Sequence, residues 1–196
     1  MGKLVPKLYD LIMAPIEKKR FKRVRSELLS YADGHVLEIG SGTGVNFPLY
    51  QNVKSVTAVE PDETMKNRSM EKITHSKVPI EVQLAYAENL PFDDHQFDSV
   101  VVTLALCTIQ DVNQALSEMR RVVTPGGQVM FFEHVKLNDS TVGKLQDLLT
   151  PVWKKVAGGC HLNRDSLTLI KEAGFEVTDV DHMYKGLFLV IKAKNP

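Results

Sequence analysis

Val36-Leu37-Glu38-Ile39-Gly40-Ser41-Gly42-Thr43-Gly44 is an apolar run with one acid that climbs into a cluster of glycines. This is the pattern of a buried strand ending in a tight turn free of side chains. Twenty residues after Gly40 a second apolar run, Val56-Thr57-Ala58-Val59, ends in Glu60. A glycine turn lets a ligand press against the backbone, and an acid at the next strand end can accept both hydroxyls of a ribose. The pair predicts a nucleoside-containing cofactor.

Outward from this segment, strands and helices alternate. Strands are expected at 36–40, 55–60, 80–85, 97–106, 129–133, 175–182 and 187–193. The run Val100-Val101-Val102 marks a strand buried on both faces. Asp62 and Asp111 are placed to cap helices that follow them, the second carrying Val112, Ala115, Leu116, Met119 and Val122 at helical spacing. Leu167, Ile170 and Ala173 mark another helix, closed by Gly174. Towards the amino terminus, residues 3–13 read as a short amphipathic helix, and Phe21, Val24, Leu28 and Tyr31 as a second helix facing a core. Residues 140–157 form a long amphipathic helix, kinked near Pro151. Alternation implies a doubly wound α/β fold, a mostly parallel sheet between two layers of helices. The short turn at Lys185-Gly186 allows only an antiparallel hairpin, so the last strand runs against the rest.

The 196 residues are expected to fold as one domain: a helical cap (1–31), a cofactor-binding core (32–135), an inserted cap helix (136–162) and a carboxyl-terminal helix and hairpin (163–196). Lys plus Arg and Asp plus Glu number 24 each, so no global field recruits nucleic acid. Two cysteines exclude a disulfide framework and fit a reducing compartment. No apolar run approaches the ~18 residues that span a bilayer, and the amino terminus lacks a signal-peptide pattern; a cytoplasmic protein is expected. Lys18, Lys19, Arg20, Lys22, Arg23 and Arg25 read first as a solvated helix face. Contact with anionic lipid is their second reading.

A nicotinamide-dependent oxidoreductase would carry Gly-x-Gly-x-x-Gly. Here the third glycine comes one residue early, and Glu38 ahead of the loop suits a cationic ligand end better than a pyrophosphate.

On these residues the chain resembles the class I S-adenosylmethionine-dependent methyltransferases, most strongly over 36–133. The resemblance implies a seven-stranded Rossmann-like sheet with an antiparallel last strand, S-adenosyl-L-methionine as cofactor and S-adenosyl-L-homocysteine as product. It places Gly40, Ser41, Gly42 and Gly44 near the methionine part, Glu38 at its ammonium, and Glu60 on the ribose. Pro61 and Met65 would pack on the adenine and Ala87 and Glu88 would border it, while Thr103, Leu104 and Cys107 would line the floor beneath the sulfonium. Tyr86 stands where many relatives have an aspartate for the adenine amino group. A narrower likeness, carried by Gly44-Val45-Asn46-Phe47, residues 103–108, Glu133-His134-Val135, Pro151-Val152-Trp153 and residues 159–164, is to the membrane-associated thiol methyltransferases of the methyltransferase-like group. It brings Asn46 and Phe47 into the cofactor set. Those relatives have a hydrophobic amino-terminal anchor, and residues 1–13 do not read as one.

Methyl transfer from a sulfonium rests on alignment, which is worth roughly 7–11 kcal/mol. No histidine–cysteine spacing in the sequence reads as a metal site, so none is expected. His134, at a strand end, is the candidate base. Cys107 reads as a buried wall residue and His161 as a loop histidine within reach of the pocket. Tyr9, Met13, Leu148, Trp153 and His161 are expected to meet a small-molecule acceptor, a thiol or a phospholipid amine, beneath a lid made by the two extra helices. A non-catalytic cofactor binder is the alternative.

Overall fold

The computed structural model describes residues 20–137 and 140–196. Seven strands make one sheet: β1 (His35–Ile39), β2 (Ser55–Val59), β3 (Ile80–Gln83), β4 (Phe97–Thr103), β5 (Val123–His134), β6 (Glu176–Met183) and β7 (Phe188–Lys194). Among the described residues five α-helices accompany it: α1 (Lys22–Leu29), α2 (Glu63–Ile73), α3 (Val112–Val122), α4 (Ser140–Val156) and α5 (Ser166–Glu172). The strand order is β3-β2-β1-β4-β5-β7-β6. Strands β1 to β5 pair in parallel, and β7 lies antiparallel between β5 and β6. The expected reversal of the last strand is present.

Val100-Val101-Val102 explains the three layers. Period-2 alternation sends Val100 and Val102 to one side and Val101 to the other, and both sides are packed. Val100 and Val102 join α3 residues Ala115, Leu116 and Met119 and α5 residue Ile170. Val101 joins Phe21, Leu28, Phe47, Met130 and Phe132 on the opposite face. Each cap predicted from sequence is made: Asp62 Oδ1 accepts from Met65 N–H at 3.0 Å, and Asp111 Oδ1 from Gln114 N–H at 3.0 Å.

Several expectations are corrected. Strand β4 ends at Thr103, three residues early, because Leu104 takes a left-handed φ of 54° and turns the chain away. Strand β5 begins at Val123 rather than Val129: Phe97 pairs with Val123, but Ser99 pairs with Gln128, so Thr124-Pro125-Gly126-Gly127 bulges opposite Asp98. Tyr31 is 48% exposed and carries the Lys192 ammonium on its ring at 3.8 Å, instead of facing the core. Helix α2 buries only Ser69. The long helix expected at 140–157 is present as α4, with Pro151 in its interior. The helix expected at 3–13 lies outside the described residues. Among the described residues, no helix is long and apolar enough to cross a membrane.

The chain goes from β1 outward to β2 and β3, then returns to β4 on the other side of β1. In open α/β sheets the crevice at the carboxyl ends of the strands flanking such a switch point is where ligands bind.

Candidate active site

At the switch point, β1 runs into the glycine loop. Gly40 has φ 66°, and a Cβ there would stand 2.6 Å from that of Ala105, so only glycine lets the β1 end and the loop after β4 close on each other. Gly42 has φ 56°, and a Cβ there would meet nothing within 4 Å. This loop therefore presents bare backbone to open space. Glu60, at the end of β2, is 7% exposed and accepts from Gly42 N–H at 2.8 Å through Oε2 and from Asp62 N–H at 3.0 Å through Oε1. Burial raises its carboxyl above the ordinary range, and the two backbone donors oppose that rise. Each oxygen keeps a lone pair for a further donor. Ser41 Oγ is buried and makes no hydrogen bond. An open glycine surface, an orphaned hydroxyl and a fixed carboxylate together fit a polar nucleoside cofactor.

Beneath the loop lies a buried polar network. Asn46 Nδ2 donates to Glu38 Oε1 and to Thr103 Oγ1, both at 3.0 Å, and Tyr50 O–H donates to Glu38 Oε2 at 2.7 Å. Arg25 donates to Asn46 Oδ1 at 3.2 Å and also to Thr103 Oγ1. Burial pushes the Glu38 carboxyl up to about 7, against the pull of Tyr50, Asn46 and Arg25. The network ties α1, β1, the turn at 46–50 and the tip of β4 into one unit.

A second cluster sits at the tips of β4 and β5. His134 ends β5, Cys107 follows the turn after β4, and Cys160 lies in the loop after α4. His134 Nε2 is 3.1 Å from Cys160 Sγ. One ligating atom from each of Cys107, His134 and Cys160 lies within 4.8 Å of the other two. The thiol of Cys160 is pulled below its ordinary range by Cys107, and burial opposes this while His134 and the Trp153 indole add to it. The Cys107 thiol is pushed up by its hydrogen bond to Cys160 and by burial. For His134, burial disfavours the charged ring, but Cys160 and Glu133 outweigh it and raise the pKa.

The scaffold of this cluster is built from side chains that grip backbone. Glu133 Oε1 accepts from Ala105 N–H at 2.9 Å and Leu106 N–H at 3.0 Å, while its Oε2 is buried without a partner. Burial pushes this carboxyl up to about 6. Arg164 donates to the carbonyls of Leu106 and Ile109. Gln146 of α4 accepts from Leu137 N–H at 2.8 Å and donates to the carbonyls of Val135 at 3.1 Å and Leu162 at 2.9 Å. One side chain thus fastens α4 across the strand ends.

A thiol S-methyltransferase TMT1B of Rattus norvegicus is 33% identical over 189 residues, with 88% of this chain and 77% of the relative covered. The chain belongs to the class I S-adenosylmethionine-dependent methyltransferases. The family model described as a methyltransferase domain matches residues 37–131. A phosphatidylethanolamine N-methyltransferase of Cereibacter sphaeroides is 30% identical over 129 residues, covering 65% of this chain and 63% of that protein. The solved structure of a SAM-dependent methyltransferase from Aquifex aeolicus superposes with a TM-score of 0.69 at 18% identity, covering 98% and 97% of the two chains. The protein is a methyltransferase, and its cofactor is S-adenosyl-L-methionine.

Within this methyltransferase the residues expected at the site divide. Gly40, Ser41, Gly42, Gly44 and Glu60 come together at the ends of β1 and β2, with exposed Pro61 and half-buried Met65 at the start of α2 beside them. Glu38, expected at the ammonium, is 1% exposed with both oxygens engaged by Asn46 and Tyr50, so it braces the loop from beneath. Asn46 and Phe47 are likewise fully buried under the loop rather than open to a ligand. Glu88 accepts from Gln110 and Asp111 N–H at 3.2 and 3.3 Å, an anchor ahead of α3, while Ala87 is buried and Tyr86 is 65% exposed. Thr103, Leu104 and Cys107 do form the turn at the β4 tip.

On the acceptor side, His134 and Trp153 reach the cysteine cluster. Leu148 makes no such contact among the described residues and is 73% exposed on α4. His161 is no loose loop residue, since its N–H and its Nδ1 lie 2.9 and 3.2 Å from the carbonyl of Cys107. Tyr9 and Met13 lie outside the described residues, as do Lys18 and Lys19. Arg25, read as part of a solvated face, is 4% exposed inside the polar network. No local pattern marks it: the burial follows from partners 21 and 78 residues away.

Proposed function

We propose that this methyltransferase acts on the sulfur of a small-molecule thiol. The observation that carries the reading is where the likeness to the rat thiol methyltransferase extends. It spans 88% of the chain, beyond residues 37–131 of the general methyltransferase domain and into the segments that carry His134 and Cys160. The likeness to the phospholipid amine methyltransferase covers 65% and supports the second reading, an amine acceptor.

Gly40, Ser41 and Gly42 would hold the amino-acid end of the cofactor, Glu60 the ribose hydroxyls, and Pro61, Met65 and Ala87 the adenine. When bound, the cofactor supplies a methyl group on a positively charged sulfur, already a good leaving group. The chain's work is then positional. Glu133 fixes Ala105 and Leu106, which set the floor at the β4 tip, and Gln146 holds α4 across the strand ends. An acceptor thiol, with an ordinary pKa near ~8.5, must lose its proton. Cys107, His134 and Cys160 are the groups at this edge suited to act on it.

The test is a competition between a small aliphatic thiol, an aromatic thiol and a phosphatidylethanolamine dispersion, with S-adenosyl-L-homocysteine and methylated products followed by mass spectrometry. Thioether formation at a kcat/KM at least about tenfold above that of the amine is expected, a margin of about 1.4 kcal/mol. Methylation of the amine alone would overturn the thiol reading.

A further inference from the structure

Three segments far apart in sequence deliver two sulfurs and one imidazole nitrogen to one place, and each is held in a way that methyl transfer alone does not require. Cys107 is set by the left-handed turn at Leu104 and by Glu133, which grips Ala105 and Leu106. Cys160 is stitched to Cys107 through its neighbour, since His161 N–H donates to the Cys107 carbonyl at 2.9 Å. His134 is fixed by its place at the end of β5, paired in register with Phe188. The result is a preorganised set of soft donors, not a chance meeting of flexible side chains.

Metal–sulfur and metal–nitrogen bonds of about 2.3 and 2.0–2.1 Å in a tetrahedron put the donor atoms roughly 3.5–3.8 Å apart. The three donors here lie within 4.8 Å of one another, and His134 Nε2 is 3.1 Å from Cys160 Sγ. Adjustments of no more than about 1.3 Å in any separation convert one arrangement into the other. Two thiolates neutralise a divalent ion, which suits a site buried at Cys107 and half-buried at Cys160. Two cysteines and one histidine are the donor set of zinc sites that keep a fourth position open.

We propose that Cys107, His134 and Cys160 form a binding site for a borderline-soft divalent metal of the Zn2+ class, with its fourth position directed to the acceptor. The second part rests on the thiol reading above. Coordination of an acceptor thiol forms a sulfur–metal bond and breaks the S–H bond, and the proton leaves to solvent. The acceptor is then held as a thiolate at the edge of the sheet without a separate general base.

The experiment is a titration of the full, reduced chain with Co2+, followed by Zn2+, read by absorption. One equivalent of Co2+ should give the intense visible bands of tetrahedral thiolate coordination, and one equivalent of Zn2+ should bleach them. Cys107→Ser, Cys160→Ser and His134→Ala should each weaken uptake at least tenfold, with circular dichroism and S-adenosyl-L-homocysteine binding confirming that the variants are folded. Absence of a tetrahedral Co2+ spectrum overturns the site, as does stoichiometric uptake unchanged in both serine variants. Closure of a Cys107–Cys160 disulfide under a mild disulfide oxidant, by a reduced protein that takes up no Co2+, also overturns it and makes the cluster a redox pair. With Co2+ bound, a small thiol should shift the bands; an unshifted spectrum overturns the fourth-position assignment while leaving the metal site standing. A metal-loaded protein that binds the thiol but methylates only amines refutes the thiol function instead.

Discussion

At the ends of β1 and β2, what would face the cofactor under the proposed reading comes from two neighbouring stretches of chain, and most of it is backbone: the glycine loop, Ser41 and Glu60. At the tips of β4 and β5, what would face the proposed acceptor comes from three stretches, 27 and 26 residues apart in sequence at Cys107, His134 and Cys160, and all of it is side chain. The first edge gains its shape from conformations that only glycine adopts easily. The second gains it from Glu133, Arg164 and Gln146 gripping backbone across loops. Backbone at the first edge can serve one ligand in many relatives, whereas side chains at the second can be exchanged without disturbing the first. The two edges should therefore fail independently.

The largest effect expected is at Gly42. Valine there must adopt a positive φ and fills the open side of the loop, so Gly42→Val should weaken S-adenosyl-L-homocysteine binding more than about 100-fold, or roughly 3 kcal/mol. Calorimetry would check it. Unchanged affinity would mean that the open backbone does not face the cofactor.

Next is the pH response of the network beneath the loop. The Glu38 carboxyl stands near 7 in the folded chain against an ordinary 4.5. A raised acid lends its stability in full below the lower value and loses it as pH climbs through the upper one. The loss amounts to about 3 kcal/mol. Urea unfolding at a series of pH values should show this decline, and Glu38→Gln should reduce it, most clearly between pH 6 and 7, leaving the smaller part due to Glu133, whose carboxyl stands near 6. A decline of equal size in the variant would place the titrating group elsewhere.

Removing the carboxylate at the end of β2 should cost cofactor affinity about 1–3 kcal/mol, the scale of a charged hydrogen bond. Glu60→Ala also frees the Gly42 and Asp62 N–H groups. If the edges are independent, Co2+ uptake by this variant stays as in the parent; a matching loss there would show that they are coupled. The smallest effect is expected at Leu148, which is exposed on α4. Leu148→Ser should leave kcat/KM for a thiol within about twofold, and a tenfold fall would return this residue to the acceptor site.

The contrast also explains what could be read from the chain. The alternation of strands and helices, the antiparallel end, the Asp62 and Asp111 caps and the glycine loop with Glu60 all follow from short-range pattern. Glu38 was visible as an acid before glycines, yet its partners Asn46 and Tyr50 were not, so its facing was misread. Arg25 belongs by spacing to a cationic run and by structure to a buried network. Cys107, His134 and Cys160 have no informative spacing, because their meeting depends on the order in which β4, β5 and α4 come together. The early end of β4 was hidden in the same way: Leu104 extends the apolar run but turns out of it.

One further consequence comes from the bulge in β5. Its extra residues, Thr124 to Gly127, are taken up opposite Asp98 at the far end of the strand, while Thr103 and Phe132 remain paired near the working end. Slack placed there works like an expansion joint. Insertions or deletions in that segment should be absorbed locally, leaving the pairing of Thr103 with Phe132 undisturbed.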